Sequence, residues 1–459
     1  MNPFLNPIFL SNLFKSHFID VNRIWHVNLD QLRKYQDKAI RNMVKYAYNV
    51  PVYNKKYKEH GVHPNDIKGA KDLQKLPLIT KDDIRDNYPD GIIPKGFNKE
   101  KGFILSTSGS TGKPIFMYYD MLTAIKYVEG NIRLLKSYAG SWRKSKILLV
   151  IDIKPGSIEH AAFTNSVMPF IKKFISMDNI KYLYVGEKTE TLLKEINEFN
   201  PEYLGSDPPV LMKLAILKNE GLGKDINLKY LFSSGSILDN YTKQYVEKAF
   251  NARLLDTYSA TESGQIAFES LEGEGYHVNS DFVYLEFLDD EQKSVPYGKA
   301  GRIAVTRLYG KCTPIIRYTG LEDLVTPLEP RTIRGMTTDM IKQIEGRSLE
   351  LIHTPDGRMI PPFHVTTIPA SVMDYFKSYK IKQFQIIQHS VNKIEVLLVI
   401  NEKLRDVGPS VKKISDEIKK RFKDVTSPDV EIIINEVDEI EKDVRIDNVR
   451  LIVSKIKTK

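Results

Sequence analysis

Cysteine is nearly absent from this sequence, which has one, Cys312, among 459 residues. A single thiol excludes an intrachain disulfide, and it also excludes zinc sites built from several cysteines. Cys312 precedes the stretch Thr313 to Ile316, which is largely apolar, so we interpret it as a small buried residue and not as a nucleophile.

Long apolar runs are also lacking. No stretch approaches the roughly 20 apolar residues of a membrane-spanning helix, so we expect no membrane span. Asn2, Asn6 and Asn12 interrupt the apolar residues at the start of the sequence, and no basic segment precedes them. We therefore expect no secretory signal peptide, and we expect a cytoplasmic protein.

A strong excess of charge of one sign is lacking as well. The 67 Lys and Arg residues against 58 Asp and Glu residues give a formal net charge of +9, and the lysines are spread along the chain. This distribution indicates a solvated, lysine-rich surface, so we expect no nucleic-acid partner. The oligomeric state stays open, with a homodimer as one expectation.

The order of the patterns predicts an α/β fold. A chain of 459 residues is too long for one compact core, so we expect at least two domains. Strand-like runs alternate with helical patterns, which indicates crossover units and a largely parallel sheet. The strand-like runs are 147–151, 182–185 and 230–232, and the helical patterns are 189–199, 208–220 and 239–250. Residues 281–309 instead indicate an antiparallel section.

The last part of the chain predicts a small α+β unit. Strand-like runs at 384–387, 394–400 and 430–434 accompany a helix with Val411, Ile414, Ile418 and Phe422 on one face. We therefore expect a large N-terminal α/β domain, 1–345, and a mobile C-terminal α+β lid domain, 346–459, with a hinge near 346–350.

Two helices are predicted near the N-terminus. Residues 29 to 50 carry apolar positions at helical spacing up to Pro51, where proline ends the helix. A second helix begins at Thr80, because Asp83 follows three residues later as in a capping box.

A Ser/Thr/Gly-rich loop, Ser106 to Pro114, follows the apolar segment Phe103 to Leu105. Its glycines and small side chains let backbone N–H groups approach phosphate oxygens closely, and its hydroxyls and Lys113 add further donors. It is not a Walker A loop, because Thr107 stands where that motif needs glycine and Pro114 where it needs Ser or Thr. A flexible linker is the alternative interpretation of this composition.

The sequence resembles the adenylate-forming superfamily of acyl-CoA synthetases, and is most similar to the phenylacetate–CoA ligase and capsular-polysaccharide-biosynthesis branch. Besides the loop, the phrases from Tyr46 to Tyr53 and from Leu76 to Ile84 are typical of that branch. The resemblance implies that the loop holds ATP phosphates. It assigns this role to Thr107, Ser108, Gly109, Ser110, Thr111, Gly112 and Lys113.

A second motif, Tyr258-Ser259-Ala260-Thr261-Glu262, is similar to the family pattern Tyr-x-x-Thr/Ser-Glu. The resemblance implies adenine stacking by Tyr258, a phosphate contact by Thr261 and magnesium coordination by Glu262. Mg²⁺ takes one or two carboxylates together with phosphate oxygens. The segment Ser234, Gly235 and Ser236 matches the stretch that lines adenine in the family. Thr107, Lys113 and Glu262 are the implied catalytic residues.

Two further motifs supply the implied ribose contacts. In the segment from Pro314 to Leu324, spacing from the arginine favours Glu322 as the ribose carboxylate, whereas the following Leu-Val pattern favours Asp323. We choose Asp323 and keep Glu322 as the alternative. In the segment from Ile344 to Glu350, a Gly-Arg pair assigns Arg347 to the ribose.

The chain departs from the family where the adenylating lysine is expected. The Gly-Lys pair of the family falls near Asp447 and Asn448, so the lysine is absent there. Lys442 or Arg445 is a candidate substitute, and a solvated charge is the alternative interpretation of each.

The resemblance implies ATP-dependent activation of a small-molecule carboxylate as acyl-AMP, followed by transfer to coenzyme A, with ATP, Mg²⁺ and coenzyme A as cofactors. Two alternatives stay open. One is an adenylyl transferase that acts on a non-thiol acceptor in polysaccharide or cofactor metabolism. The other is a nucleotide-binding relative without ligase activity.

Overall fold

The computed structural model describes residue 11 and residues 16–99, 102–107, 114–153, 177–347, 350–441 and 449–456. The α-helices are α1 Leu29–Ala47, α2 Pro51–Glu59, α3 Lys81–Asp86, α4 Met121–Ser137, α5 Thr189–Phe199, α6 Pro208–Asn219, α7 Asn240–Phe250, α8 Pro362–Phe376 and α9 Val411–Val425. Within these ranges, no helix combines the length and the apolar character that crossing a membrane requires.

The strands lie in one large and three small sheets of the described residues. They are β1 Phe103–Ser106, β2 Phe116–Tyr119, β3 Ile147–Ile151, β4 Ile180–Tyr184, β5 Tyr203–Ser206, β6 Tyr230–Ser233, β7 Arg253–Ala260, β8 Gly264–Glu269, β9 Tyr276–Val278, β10 Val283–Leu288, β11 Gly301–Arg307, β12 Asp323–Ile333, β13 Met336–Arg347, β14 Ile352–His353, β15 Met359–Ile360, β16 Ile381–Ser390, β17 Lys393–Ile400, β18 Glu431–Glu436 and β19 Ile452–Ser454.

The large sheet joins a parallel half to an antiparallel half. In the described chain its order is β10-β11-β12-β13-β9-β8-β7-β6-β5-β3-β4. The strands from β4 to β7 pair in parallel, with α5, α6 and α7 as their crossovers, and the strands from β7 to β10 pair antiparallel. The predicted α/β class with its antiparallel section is confirmed.

The α/β core forms because the parallel strands are apolar on both faces. Leu204, Leu231 and Leu254 lie fully buried on the face that α5, α6 and α7 cover. Tyr203, Phe232 and other aromatic side chains fill the opposite face. Burial on both faces is the usual environment of a parallel sheet.

Residues beyond β13 form the predicted small α+β unit. Its four-stranded sheet has the order β18-β17-β16-β19. Helix α9 begins at the N-cap Ser410, whose side chain accepts from the Lys413 backbone, and buries Val411, Ile414, Ile418 and Phe422 on one face. The hydrophobic core of this unit is continuous with that of the α/β layer.

Helix α7 carries the contact between the two parts. The Tyr241 hydroxyl, which is buried, donates a hydrogen bond to the Ile381 carbonyl at the start of β16. Beside it, the Lys248 ammonium lies 4.1 Å from the centre of the Tyr379 ring. One hydroxyl therefore satisfies a buried carbonyl across the contact.

Tyr241→Phe should lower the free energy of unfolding by about 1–3 kcal/mol, because the Ile381 carbonyl loses its partner in a buried place. Urea denaturation measures this change. Tyr297→Phe is the matched control, since Tyr297 is 56% exposed. Equal stability of the two variants would show that the hydroxyl contributes nothing to the contact.

Candidate active site

The serine-rich turn after β6 lies beside the end of β7. The two strands are parallel neighbours, with Ser233 opposite Asp256, so their carboxyl ends meet at one edge of the sheet. At that edge Oγ of Ser234 lies 3.0 Å from Oγ of Ser259. Gly235 has φ +90° and is exposed, and a Cβ there would meet no atom within 4 Å. The turn therefore leaves its backbone open next to Tyr258.

Tyr258, which is buried, and Asp323, which is half-buried, form a hydrogen-bonded pair. The Tyr258 hydroxyl donates to Oδ2 of Asp323 at 2.5 Å. Burial raises the pKa of the Asp323 carboxyl, while this hydrogen bond and the charge of Arg347 oppose the rise. Glu322, the other candidate for the ribose position, pairs instead with Lys81, whose ammonium lies 3.1 Å from its Oε2. Asp323 is the carboxylate that lies against Tyr258.

Strand pairing brings Arg347 to the same place. β12 and β13 are antiparallel, with Arg347 opposite Asp323. The preceding Gly346 has φ +101°, and a Cβ there would lie 2.7 Å from Pro362, so glycine meets both a conformational and a steric requirement. Glu350 lies half-buried near this pair, and the charge of Arg347 opposes the rise that burial causes in the Glu350 pKa.

The turn that carries Glu262 is held through three consecutive backbone carbonyls. The Tyr119 hydroxyl donates to the Thr261 carbonyl, Nη1 of Arg307 donates to the Glu262 carbonyl at 2.9 Å, and the Tyr309 hydroxyl donates to the Ser263 carbonyl at 3.1 Å. Arg307 is fully buried, and its other nitrogens donate to nearby carbonyls. We call these three donors the carbonyl clamp. It fixes the backbone from which the Glu262 side chain extends.

The Glu262 carboxylate lies within reach of the same site and is 4% exposed. The Tyr318 hydroxyl donates to Oε1 at 3.0 Å. Burial raises the pKa of this carboxyl, and the Tyr318 hydrogen bond and the charge of Lys81 oppose the rise. Among the described residues, no group of three or more His, Cys, Asp or Glu could hold a metal ion. A lone carboxylate suits Mg²⁺, which can take its other ligands from phosphates and water.

Thr107 lies at the loop end of a hairpin formed by β1 and β2. Its backbone N–H donates to the Ile115 carbonyl at 3.1 Å, and its Oγ accepts from the Ile115 N–H at 3.2 Å. Tyr119 of the carbonyl clamp is the last residue of β2, at the opposite end of the hairpin. That opposite end is thereby tied to Thr261. Ser108, Gly109, Ser110, Thr111, Gly112 and Lys113 lie outside the described residues.

Asp256 is a site residue to which the sequence analysis assigned no role. Its Oδ2 accepts from the Tyr276 hydroxyl at 3.0 Å, whereas Oδ1 is buried and has no hydrogen-bond partner among the described residues. Burial raises the pKa of this carboxyl to about 7. Asp256 precedes Tyr258 by two residues, and side chains two residues apart on a strand point to the same face. This spacing was the signal in the sequence that could have identified Asp256.

The chain is similar to several known proteins. Residues 352–454 match the family model of the CapK C-terminal domain. The chain is 27% identical to protein CapK of Staphylococcus aureus, over 90% of this chain and 88% of that protein. It is 28% identical to a phenylacetate–coenzyme A ligase of Pseudomonas putida, over 71% of this chain and 72% of that protein.

These relatives support the branch that the sequence resembles, that of phenylacetate–CoA ligases and CapK. A solved member of the fold, 2-hydroxyisobutyryl-CoA ligase in the postadenylation state in complex with R3-HIB-AMP, gives a TM-score of 0.79 at 18% identity and covers 94% of this chain and 91% of that one. The same ligase in the thioesterification state gives 0.62 at 19% identity, over 94% and 91%.

The described residues bring Tyr258, Asp323 and Arg347 together and place the Glu262 turn and the serine turn beside them. The structure leaves Lys442 and Arg445 outside its described residues, as it does most of the phosphate loop. The roles assigned to these side chains by resemblance stay predictions.

The stability of this protein should depend on pH through Asp256. Its folded pKa lies above the ordinary value of 3.8, so its contribution to stability is full below pH 3.8 and is lost as pH rises to about 7. The loss should be about 1.4 kcal/mol per pH unit in that window. Asp256→Asn lacks this ionisation, so its free energy of unfolding relative to the parent should grow with pH across the window.

Urea unfolding of Asp256→Asn and the parent at a series of pH values measures the difference. Well below pH 3.8, Asp256 is uncharged in both the folded and the unfolded protein, and the difference in free energy of unfolding between the two proteins should be constant. A difference that stays constant up to pH 8 would show that burial does not raise the pKa of Asp256.

Proposed function

We propose that this chain is an AMP-forming carboxylate–coenzyme A ligase. In the first step a carboxylate oxygen attacks the α-phosphorus of ATP, the bond to pyrophosphate breaks, and acyl-AMP forms. In the second step the thiol of coenzyme A attacks the acyl carbon, loses its proton and releases AMP. The observation that carries the proposal is the Tyr258–Asp323 pair, with Arg347 opposite Asp323 and the Glu262 turn beside it.

We assign the nucleoside to this pair and to the serine turn. Tyr258 stacks on adenine, and the open backbone of Ser234, Gly235 and Ser236 lines its edge. Oδ1 of Asp256, buried without a partner among the described residues, supplies an acceptor for the exocyclic amine of adenine. Asp323 and Arg347 bind the ribose hydroxyls, one as acceptor and the other as donor.

We assign the phosphates and the metal to the neighbouring segments. Thr107 and the loop 108–113 bind the phosphates, together with Thr261. Glu262 coordinates Mg²⁺, which neutralises charge on the phosphates when it is bound. The carbonyl clamp supports this assignment, because a carboxylate that must bind one metal ion at a fixed place benefits from a backbone that cannot shift.

Two half-reactions require two arrangements of the lid. We propose a large domain, 1–345, a lid, 346–459, and a hinge at 346–350, about which the lid rotates between adenylation and thioester formation. The higher TM-score to the postadenylation state than to the thioesterification state of the same ligase supports a lid placement near the first arrangement.

A second candidate is adenylyl transfer to a non-thiol acceptor. It is favoured by one observation, the Asp447-Asn448 pair at the position where the family has its Gly-Lys pair. In either case we propose a cytoplasmic protein, where ATP and coenzyme A are available, with a homodimer as one expected oligomeric state.

ATP–pyrophosphate exchange, screened over aryl, fatty and amino acids, tests the first step. One class of acid should support exchange, and the exchange should require Mg²⁺. Glu262→Ala should abolish exchange, because the metal ion loses its carboxylate, whereas Lys442→Ala should retain it. The reverse result, with Lys442→Ala inactive and Glu262→Ala active, would contradict the assignment of Glu262.

Adding coenzyme A to the same reaction separates the two candidates. Formation of an acyl-CoA thioester supports the ligase. An AMP ester that survives added coenzyme A supports adenylyl transfer.

A further inference from the structure

A segment from the N-terminal part of the chain lies directly against the ribose motif. Ile79 and Tyr318 form a parallel bridge, in which the Ile79 N–H donates to the Arg317 carbonyl at 3.0 Å and the Ile79 carbonyl accepts from the Thr319 N–H at 2.9 Å. Residues that follow Ile79 therefore run beside those that follow Tyr318, towards Asp323.

The same segment begins helix α3 with its backbone fixed. The Thr80 hydroxyl accepts from the Asp83 N–H, and the Asp83 carboxylate accepts from the Thr80 N–H, which is a complete capping box. Lys81 is the first residue of the helix. Its stem crosses Gly320, where a Cβ would lie 2.7 Å from Cγ of Lys81. Gly320 thus leaves the space that the lysine stem occupies.

The Lys81 ammonium lies at the edge of the candidate active site. It is 3.1 Å from Oε2 of Glu322, and the two side chains are 19% and 28% exposed. Its positive charge also reaches the carboxylates of Glu262 and Asp323, where it opposes the effect of burial on each pKa. The ammonium therefore lies near both the proposed metal ligand and the proposed ribose ligand, between which the phosphates of a bound nucleotide would pass.

We propose that Lys81 is a phosphate-binding residue, whose ammonium exchanges Glu322 for a phosphate oxygen when a nucleotide binds. This inference rests on the proposed function, because it needs ATP in the site. The described part of the site holds the carboxylates of Glu262, Asp323, Glu322 and Glu350, and ATP adds further negative charge, so a cation at this edge is electrostatically favourable.

The exchange is favourable in energy. A partly exposed ion pair such as Lys81–Glu322 contributes little to stability. A charge-assisted hydrogen bond to phosphate in a more enclosed site is stronger. The backbone of Glu322 has φ +62°, a conformation that is uncommon outside glycine and that is frequent at ligand sites. Glu322 is thus the partner that keeps the lysine in place before the nucleotide arrives.

Isothermal titration of the full chain with Mg-ATP and, separately, with adenosine tests the proposal. Lys81→Met should weaken ATP binding roughly tenfold to a hundredfold, the range expected for one charged hydrogen bond, and should leave adenosine binding within about twofold. Lys81→Arg should restore much of the ATP affinity. Glu322→Gln, which removes the competing carboxylate, should tighten ATP binding. Lys56→Met is the matched control, since Lys56, like Lys81, pairs with a carboxylate, here that of Asp83 in α3.

Each other outcome contradicts a different claim. Equal loss of ATP and adenosine binding in Lys81→Met, or loss of ATP binding in Glu322→Gln, would show that the pair only supports the fold. Parent-like ATP binding in Lys81→Met would overturn the inference and leave the proposed function standing. Absence of ATP binding in the parent protein would overturn the proposed function, and the inference with it.

Discussion

The site depends on the carbonyl clamp, in which Tyr119, Arg307 and Tyr309 hold the carbonyls of residues 261 to 263. Burying a guanidinium is costly unless its donors are paired, and here each nitrogen of Arg307 donates to a carbonyl. The same three side chains come from β2, from the end of β11 and from the loop after it. The clamp therefore joins the β1–β2 hairpin, the turn that carries Glu262 and the antiparallel half of the sheet.

Sequence patterns predicted the α/β architecture because its strands and helices are locally periodic. The run at 147–151 coincides with β3, the strands β10 and β11 lie in the section 281–309 that was predicted to be antiparallel, and α9 buries the four predicted residues. The predicted helix 29–50 instead ends at Ala47, and Pro51 begins α2, because proline fits the first turn of a helix as well as it ends one. The long pairing of β12 with β13 has mixed polar patterning and could not be predicted locally.

Motifs named side chains of the site but could not show their contacts. Tyr258, Asp323 and Arg347 were assigned one by one, and their meeting depends on strand register and on a hydrogen bond between distant residues. The choice between Asp323 and Glu322 likewise depends on the direction of the backbone, which is determined by the positive φ of +62° at Glu322. Lys81 could not be found at all from spacing, because its position depends on the bridge between Ile79 and Tyr318.

Analysis of the products formed from ATP tests the central claim, AMP-forming activation of a carboxylate, most directly. Incubation of the protein with Mg-ATP, coenzyme A and an acid selected by exchange, followed by mass spectrometry, separates AMP from ADP. The account predicts AMP, pyrophosphate and acyl-CoA in equal amounts, with acyl-AMP accumulating when coenzyme A is left out. Release of ADP and phosphate instead of AMP and pyrophosphate would contradict it.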